Sequence, residues 1–535
     1  MSTFTSVLQD KAARPFWALA ALGLVMFFLY TFGLHGTQTY GSPDETANAF
    51  FARHYARTGS FVIEESLESL AGGLLHPRSM RAIGDSIVPA SWLGLPLFYG
   101  LGIRIFGEAA LPFFTAAISI FTSFFVFALF RRIWNSQVGW LSSVLWLIHP
   151  IFWFYNHRPL WHNTIFVDFL FIAWFFFVRW LGKKRIVDAI GFAVMLGMTL
   201  VIRTSELVWV LPAFALYWIV VRQKVPWSHL FLIAVIFVLC FIPIAYYQQL
   251  TFGNFLSTGY TITDSATNNG VHLNSLTALW VSLGHLFFPF GIQIRQIAQV
   301  VVHYLSSFLG VWTILGLIGL LLVIFRGAKQ NREAFAFAWV TLFSLLYLVL
   351  LYGSFTFSEF LDPSVLLFGS SYLRYLMPGL LLLVPFMVVA LHFLLHRIRF
   401  GKKISLFLLF ILMLFSLTRI YADPLYGLAL DREVQENIAS YNKETVLEKV
   451  PSNGVLLARD QDKVFWPLRK VIGYNVLQAE HQRAANALVE KVPVYAIVWG
   501  EVEAAQLQAY AQQTGRSWRL VSPLEGGLSL YTLER

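Results

Sequence analysis

A mainly α-helical, polytopic membrane protein with a small α/β domain at its C-terminal end is the fold class this sequence predicts, on three observations. The chain is 57% hydrophobic and only 13% charged over 535 residues, with a mean hydropathy of +0.64, a balance suited to many lipid-facing helices. Its lysines and arginines gather at Lys11/Arg14, Arg131/Arg132, Lys183/Lys184/Arg185, Arg222/Lys224, Arg326/Lys329/Arg332 and Arg397/Arg399/Lys402/Lys403, with apolar stretches between them. Residues 424–535 depart from that pattern: short apolar runs at 454–458 and 494–498 alternate with helix-like stretches at 478–491 and 501–513, as in a mixed sheet with helices.

Basic clusters mark cytoplasmic turns, because positive residues are retained on that side of a membrane. The apolar stretches then pair off as 15–34 and 109–130, 137–155 and 163–181, 186–203 and 205–221, 226–248 and 298–325, and 333–352 and 371–395, with a last span at 404–422. This gives about eleven spans, with twelve or thirteen as the margin, a cytoplasmic N-terminus and an extracytoplasmic C-terminal domain. The first span lacks a small-x-small cleavage pattern and is expected to stay as an anchor. Segment 86–106 is apolar but interrupted by Pro89, Gly94, Pro96, Gly100 and Gly102. A crossing there would invert every later basic cluster, so an interfacial helix is expected instead.

The domains expected are a transmembrane body, 1–423, and a soluble α/β domain, 424–535. The outward parts of the body are a first loop 35–108, a short loop 156–162, a long loop 249–297 and a loop 353–373, none of which contains a lysine. The net charge of +10 reports this topology rather than an affinity for nucleic acid. The only cysteine, Cys240, excludes an intrachain disulfide framework and a cysteine-ligated metal site. No internal repeat is visible.

The first loop opens with Tyr40-Gly41-Ser42-Pro43-Asp44-Glu45-Thr46. Two readings of it are compatible. Ser42 as N-cap, Pro43 at N1 and Glu45 as capping-box partner would start a helix over about 46–58, amphipathic through Ala47, Phe50, Phe51 and Tyr55 and suited to a membrane surface. A carboxylate held rigidly there, Asp44, would also serve as a general base. Glu64, Glu65 and Glu68 read as a solvated acidic face.

Isolated arginines at outward helix ends, Arg203, Arg295 and Arg374, are candidates for binding a phosphate, since a guanidinium stays charged in a partly dry site and matches phosphate geometry. The bland alternative is that each anchors a span end by snorkelling.

On Pro43-Asp44-Glu45-Thr46 with Thr58-Gly59-Ser60-Phe61-Val62-Ile63, on Leu97 to Gly107, and on Tyr372-Leu373-Arg374-Tyr375-Leu376-Met377-Pro378, the chain resembles the C-type membrane glycosyltransferases. That superfamily uses polyprenyl-phosphate sugars and includes protein O-mannosyltransferases and the aminoarabinose transferases of lipid A. The resemblance runs over roughly 1–420. It implies a hexosyl- or pentosyltransferase in a bacterial inner or plasma membrane, acting on the outer face. The donor would be a polyprenyl-phosphate-linked sugar and the acceptor a lipid, glycan or protein. Asp44 would be the catalytic base with Glu45 beside it, and Arg374 and Tyr375, with Arg203 or Arg295, would bind the lipid phosphate.

Two departures qualify the resemblance. Relatives carry an acid in the second outward loop, where this chain has Asn156-His157-Arg158-Pro159-Leu160-Trp161-His162-Asn163; His157, His162 and Asn163 are the residues left to act there. The first-loop lysine of relatives is absent, leaving Arg78 and Arg81 as substitutes. No cofactor is required by the pattern, although some relatives bind a divalent metal ion, for which His285 would be the ligand by position.

The competing class is a transporter or flippase of lipid-linked saccharides. Few charges lie inside the spans, with Asp168, Asp188 and Glu206 near span ends, which disfavours it. A membrane-anchored binding module would leave the first-loop carboxylates unexplained.

Overall fold

The computed structural model describes residues 14–34, 40–261, 287–357, 368–395, 401–422, 427–429, 439–473 and 478–534. The chain divides into two units, one drawn from Met1–Leu34, Phe113–Ile242 and Asn268–Leu428, the other from His35–Pro112, Pro243–Thr267 and Ala429–Arg535.

The first unit is helical. Among the described residues, five helices are long and apolar enough to cross a membrane: Glu108–Ile133, His162–Lys183, Thr204–Val221, Trp227–Phe252 and Arg332–Gly353. Three helix pairs bent at a short break raise the number to eight. The remaining three expected spans fall on shorter apolar helices, Pro15–Thr31, Ile186–Ile202 and Phe407–Tyr421, so a count of eleven depends on those three.

The bent pairs correct three expectations of continuous helix. The stretch 137–155 breaks by 51° between Ser136–Ile148 and Pro150–His157, because proline has no N–H for the helical ladder and its ring crowds the preceding turn. The stretch 371–395 breaks by 53° between Ser371–Leu382 and Val384–Leu395, where Pro385 has the same effect. The stretch 298–325 turns by 100° before Gly310, after the π-helical segment Val301–Phe308.

Helices His162–Lys183 and Ile186–Ile202 form an antiparallel hairpin, and Gly310–Arg326 packs along Val384–Leu395. Buried polar groups are paired across helices: Ser119 donates to Asp168 at 2.6 Å, and Arg179 pairs with Asp188 at 3.0 Å.

In the second unit, segment 86–106 is not one continuous helix. It holds a strand, Ser86–Pro89, and a 13-residue helix, Gly94–Phe106, roughly 20 Å long at 1.5 Å per residue and so shorter than the ~30 Å hydrocarbon layer. That helix lies against Pro43–Thr58. At the contact Gly100 leaves no room for a side chain, since a Cβ would sit 2.5 Å from the Tyr55 ring and 2.9 Å from the Ala52 carbonyl. Arg104 reaches the carbonyls of Tyr55 and Ala56, both at 3.0 Å, closing the C-terminal end of the partner helix.

The first-loop sheet consists of β1 (Ile63–Glu64), β2 (Met80–Ile83) and β3 (Ser86–Pro89) in the order β1-β3-β2, all antiparallel. The C-terminal sheet consists of β4 (Val455–Leu457), β5 (Lys470–Ile472), β6 (Val494–Trp499), β7 (Trp518–Pro523) and β8 (Leu528–Leu533), in the order β5-β4-β6-β8-β7. β4 is parallel to β5 and β6, while β8 is antiparallel to β6 and β7.

Alternation along β4 sends Val455 and Leu457 to one core and Leu456 to the other. The first of these cores also takes in Ala71 and Leu75, so the first loop completes the hydrophobic interior of the C-terminal sheet. This overturns the expectation of a solvated acidic face at 64–68. Only Glu64 is exposed. Glu65 pairs with Lys470 at 2.6 Å. Glu68 is fully buried and accepts the Leu75 N–H at 3.0 Å.

Candidate active site

Two constellations of sequence-singled residues form, one in each unit. In the second unit, helix Pro43–Thr58 starts as a capped helix should: the Ser42 side chain accepts the Glu45 N–H at 3.2 Å and Pro43 occupies the first turn. A proline costs nothing there, because the N–H it lacks would have no helical acceptor. The same first turn places Glu45 in the interior and leaves Asp44 half-buried.

Ser79 donates its hydroxyl to Asp44 Oδ1 at 2.5 Å. Ser79 has φ +64°, a left-handed backbone that a non-glycine residue adopts only when its surroundings enforce it. Next to it, Arg78 is bound through its backbone N–H (2.7 Å) and its guanidinium (2.8 Å) to the buried Asp462 carboxylate. Arg81 lies on β2, paired in register with Val88 of β3.

In the first unit, Arg203 ends helix Ile186–Ile202 and is buried. Its guanidinium donates to Glu206 Oε1 at 2.6 and 3.1 Å, and to the Tyr352 hydroxyl at 3.3 Å. Tyr352 in turn donates to Glu206 at 2.6 Å, and the Trp209 indole donates to the other Glu206 oxygen. Arg374 lies in the first turn of Ser371–Leu382, started by Ser370 as N-cap. Its guanidinium stands 3.8 Å from the centre of the Trp161 ring and donates to Ser371 Oγ at 2.8 Å.

The two arginines meet on one aromatic ring: Arg203 and Arg374 lie 4.9 and 5.0 Å from the centre of Tyr375. Tyr352 stacks on that same ring at 4.4 Å. Guanidinium groups beside aromatic rings keep their charge in a region of little water.

Residues flanking the short loop 156–162 join this cluster. The Asn163 side-chain amide donates to the Arg374 carbonyl at 3.2 Å, and the Tyr155 hydroxyl reaches the carbonyls of Phe368 and Ser370 at 3.0 and 3.1 Å. These bonds fix the start of the Arg374 helix. His162 is buried in the first turn of its own helix, and His157 sets its ring edge-on to Tyr421 at 5.9 Å. Arg295 is exposed on Ile294–Val300, whose Gln296 donates to the Tyr372 hydroxyl at 2.7 Å.

Residues 93–247 match the family described as dolichyl-phosphate-mannose-protein mannosyltransferase. Solved structures match nearly the whole chain. The oligosaccharyltransferase of Archaeoglobus fulgidus in its apo form is 12% identical with a TM-score of 0.55, over 94% of this chain and 72% of that one. ArnT from Cupriavidus metallidurans bound to undecaprenyl phosphate is 11% identical with a TM-score of 0.55, over 97% and 98%. The Archaeoglobus fulgidus oligosaccharyltransferase AglB, in complex with an inhibitory peptide and a dolichol-phosphate, is 13% identical with a TM-score of 0.57, over 94% and 71%. This chain shares the fold of these solved proteins. No curated protein sequence matches it significantly.

The residues that the sequence points to include Asp44, Arg203, Arg374, Tyr375 and Asn163. The structure brings Arg203, Arg374, Tyr375 and Asn163 into one cluster, and gives Asp44 a fixed partner. It pairs Arg78 with Asp462 and leaves Arg81 on a strand. His285 lies outside the described residues. Among the described residues no three His, Cys, Asp or Glu side chains gather as a metal site.

Sequence reasoning missed Ser79, Trp161 and Asp462, and the pairing of Glu206, at the end of its span, with Arg203. The spacing of Arg203 and Glu206, three apart, was the available signal for their pairing.

Proposed function

We propose that this protein transfers a sugar from a polyprenyl-phosphate carrier to an acceptor on the outer face of the membrane, with inversion at the anomeric carbon. The observation that carries the reading is the likeness in fold, over 94–97% of the chain, to proteins solved with undecaprenyl phosphate or a dolichol-phosphate.

The residues have matching chemistry. Asp44 takes the proton of the acceptor's hydroxyl or amine as its lone pair attacks the anomeric carbon, and the bond from that carbon to the phosphate oxygen breaks with its electrons going to the phosphate. Fixing the base before reaction saves ordering entropy in the transition state. Ser79 and the capped helix start provide that fixing for Asp44. Arg374 meets the departing phosphate, whose charge grows as the bond breaks. Arg203, already neutralised by Glu206, holds Tyr375 and the local field in place. Arg295 is a further candidate for the phosphate, next in sequence to Gln296, which bonds the Tyr372 hydroxyl of the same helix. Arg78 acts as a structural bracket through Asp462 rather than as a phosphate ligand.

The roles are tested by transfer of labelled sugar from a panel of polyprenyl-phosphate donors in membranes containing wild type or Asp44→Asn. Transfer by wild type with a loss of roughly 10²–10⁴-fold in the variant is expected. Equal transfer by both removes Asp44 as base. Donor binding with accumulation across sealed vesicles and no covalent transfer would establish a transporter instead.

A further inference from the structure

The C-terminal domain holds the Asp44 motif from two directions through two adjacent residues. Asp462 and Lys463 open the short helix Asp462–Phe465. Asp462 is fully buried, and its carboxylate receives the Arg78 backbone N–H at 2.7 Å, the guanidinium terminal nitrogen at 2.8 Å and Nε at 3.2 Å. Arg78 immediately precedes Ser79, the residue that donates to Asp44. Lys463 Nζ donates to the Gly41 carbonyl at 2.5 Å, and Gly41 immediately precedes Ser42, the N-cap that starts the Asp44 helix. One short helix therefore grips the chain just ahead of both halves of the Ser79–Asp44 pair.

Other contacts make the grip close. The Gly473 N–H donates to the His76 carbonyl at 3.0 Å. A Cβ on Gly473 would lie 2.7 Å from both Arg78 N and Asp462 Oδ2, so only glycine lets the two backbones approach this nearly. Phe50, two turns along the Asp44 helix, packs on Trp466 with ring centres 5.6 Å apart. Bidentate, charge-assisted bonds to a buried carboxylate are strong and directional. That is what a left-handed Ser79 requires to stay where its hydroxyl meets Asp44.

We infer that Asp462 and Lys463 are positioning residues for Asp44, so that the C-terminal domain sets the geometry of the first-loop acid. The inference rests on Asp44 being the base. A domain that only recruited acceptor or stabilised the fold would change affinity or yield when this contact is cut. A positioning clamp changes the rate of the bound complex, because a displacement of ~1 Å at a reacting group can cost about 10²-fold.

The test uses the full-length protein in lipid nanodiscs with a polyprenyl-phosphate donor that supports transfer, and compares wild type, Asp462→Asn, Lys463→Met, Ser79→Ala and the double variant Ser79→Ala/Asp462→Asn. Expected is a fall in kcat of about 10- to 100-fold for Asp462→Asn, with donor KM within about twofold, and a smaller fall for Lys463→Met. Because Asp462 acts through Ser79, the double variant should be no slower than the slower single variant.

Hydrogen exchange over residues 74–82 supplies a readout independent of chemistry: faster exchange in Asp462→Asn is expected. Gly473→Ala provides a second route to the same loosening if Asp462→Asn does not fold. A normal kcat in both Asp462→Asn and Lys463→Met, or losses that multiply in the double variant, overturns the inference. If wild type transfers no sugar from any donor while exchange at 74–82 still rises in Asp462→Asn, the transferase reading fails and the clamp on the loop stands. If wild type transfers and exchange is unchanged, the clamp fails alone.

Discussion

Ser79 donates its hydroxyl to Asp44 from a left-handed backbone, φ +64°, and the next residue, Met80, already belongs to β2. The strain and the hydrogen bond belong to one residue, so two substitutions separate them. Ser79→Ala keeps the strain and loses the bond; Ser79→Gly loses both. If the bond serves catalysis, each should lower kcat by roughly tenfold, the usual effect of losing about 1.4 kcal/mol from a transition state. Ser79→Gly should be the more stable of the two by about 1 kcal/mol, since glycine tolerates the left-handed region. Steady-state kinetics and thermal unfolding of the purified variants read the two effects separately.

Arg374 and Trp161 form a second pair whose geometry makes a prediction, the guanidinium lying 3.8 Å from the ring centre. Lysine carries the same charge but is a strongly hydrated point cation without the planar fork. If Arg374 meets the carrier phosphate as proposed, Arg374→Lys should weaken polyprenyl-phosphate binding or transfer by about 10- to 100-fold, as for the loss of a bidentate charge-assisted contact. Trp161→Leu should weaken it by less, about fivefold, equivalent to an aromatic contact of ~1 kcal/mol. Binding of undecaprenyl phosphate to each variant in detergent checks the order. An Arg374→Lys variant indistinguishable from wild type would remove Arg374 from the phosphate site.

Glu206 accepts from Arg203, Tyr352 and Trp209 and forms a buried ion pair with this arginine at 2.6 Å. Glu206→Gln would remove the carboxylate that pairs with this buried charge, a loss of about 3–5 kcal/mol. Replacing both, Arg203→Met with Glu206→Leu, removes both buried charges and should recover a good part of the stability, though not the activity if Arg203 holds Tyr375. Unfolding temperatures of the single and double variants in detergent test the pair. A single variant as stable as wild type would show that the pair contributes little to folding.

The order of apolar helices was legible because a bilayer imposes length and charge asymmetry on each one separately. The breaks at Pro150 and Pro385 were visible in the residues yet unread, since the apolar run continues across each proline and composition alone does not register a bend. The helix cap ahead of Asp44 was legible because a helix start is a local event within four residues. The meeting of Arg203 with Arg374 on Tyr375 was not, because it depends on how helices far apart in the chain pack. Asp462 was invisible for the same reason: nothing around it in the sequence says that a first-loop arginine will reach it. Glu68 misled most directly. Three acids in five residues suggest solvent, but Ala71 and Leu75 dock into the core of the C-terminal sheet and carry Glu68 inside with them.

That burial gives the second unit a pH dependence. Loss of hydration on burial pushes the Glu68 carboxyl up from 4.5 to about 7; the Leu75 N–H pulls it down, and Glu65 and Asp85 push it further up. An acid whose pKa is raised on folding binds more protons in the folded state than in the unfolded one between those two values. Its stability contribution is therefore intact below pH 4.5 and declines as pH rises from there to about 7, after which the loss is complete. The loss is at most about 3 kcal/mol. Glu68→Gln keeps an oxygen for the Leu75 N–H but cannot ionise. The variant and wild type should then unfold alike near the bottom of that range, and the variant should be the more stable above pH 7. Thermal unfolding followed across the pH series, with hydrogen exchange at residues 68–75 as the local reporter, decides it: a constant difference between the two proteins at every pH would mean that Glu68 does not titrate in this interval.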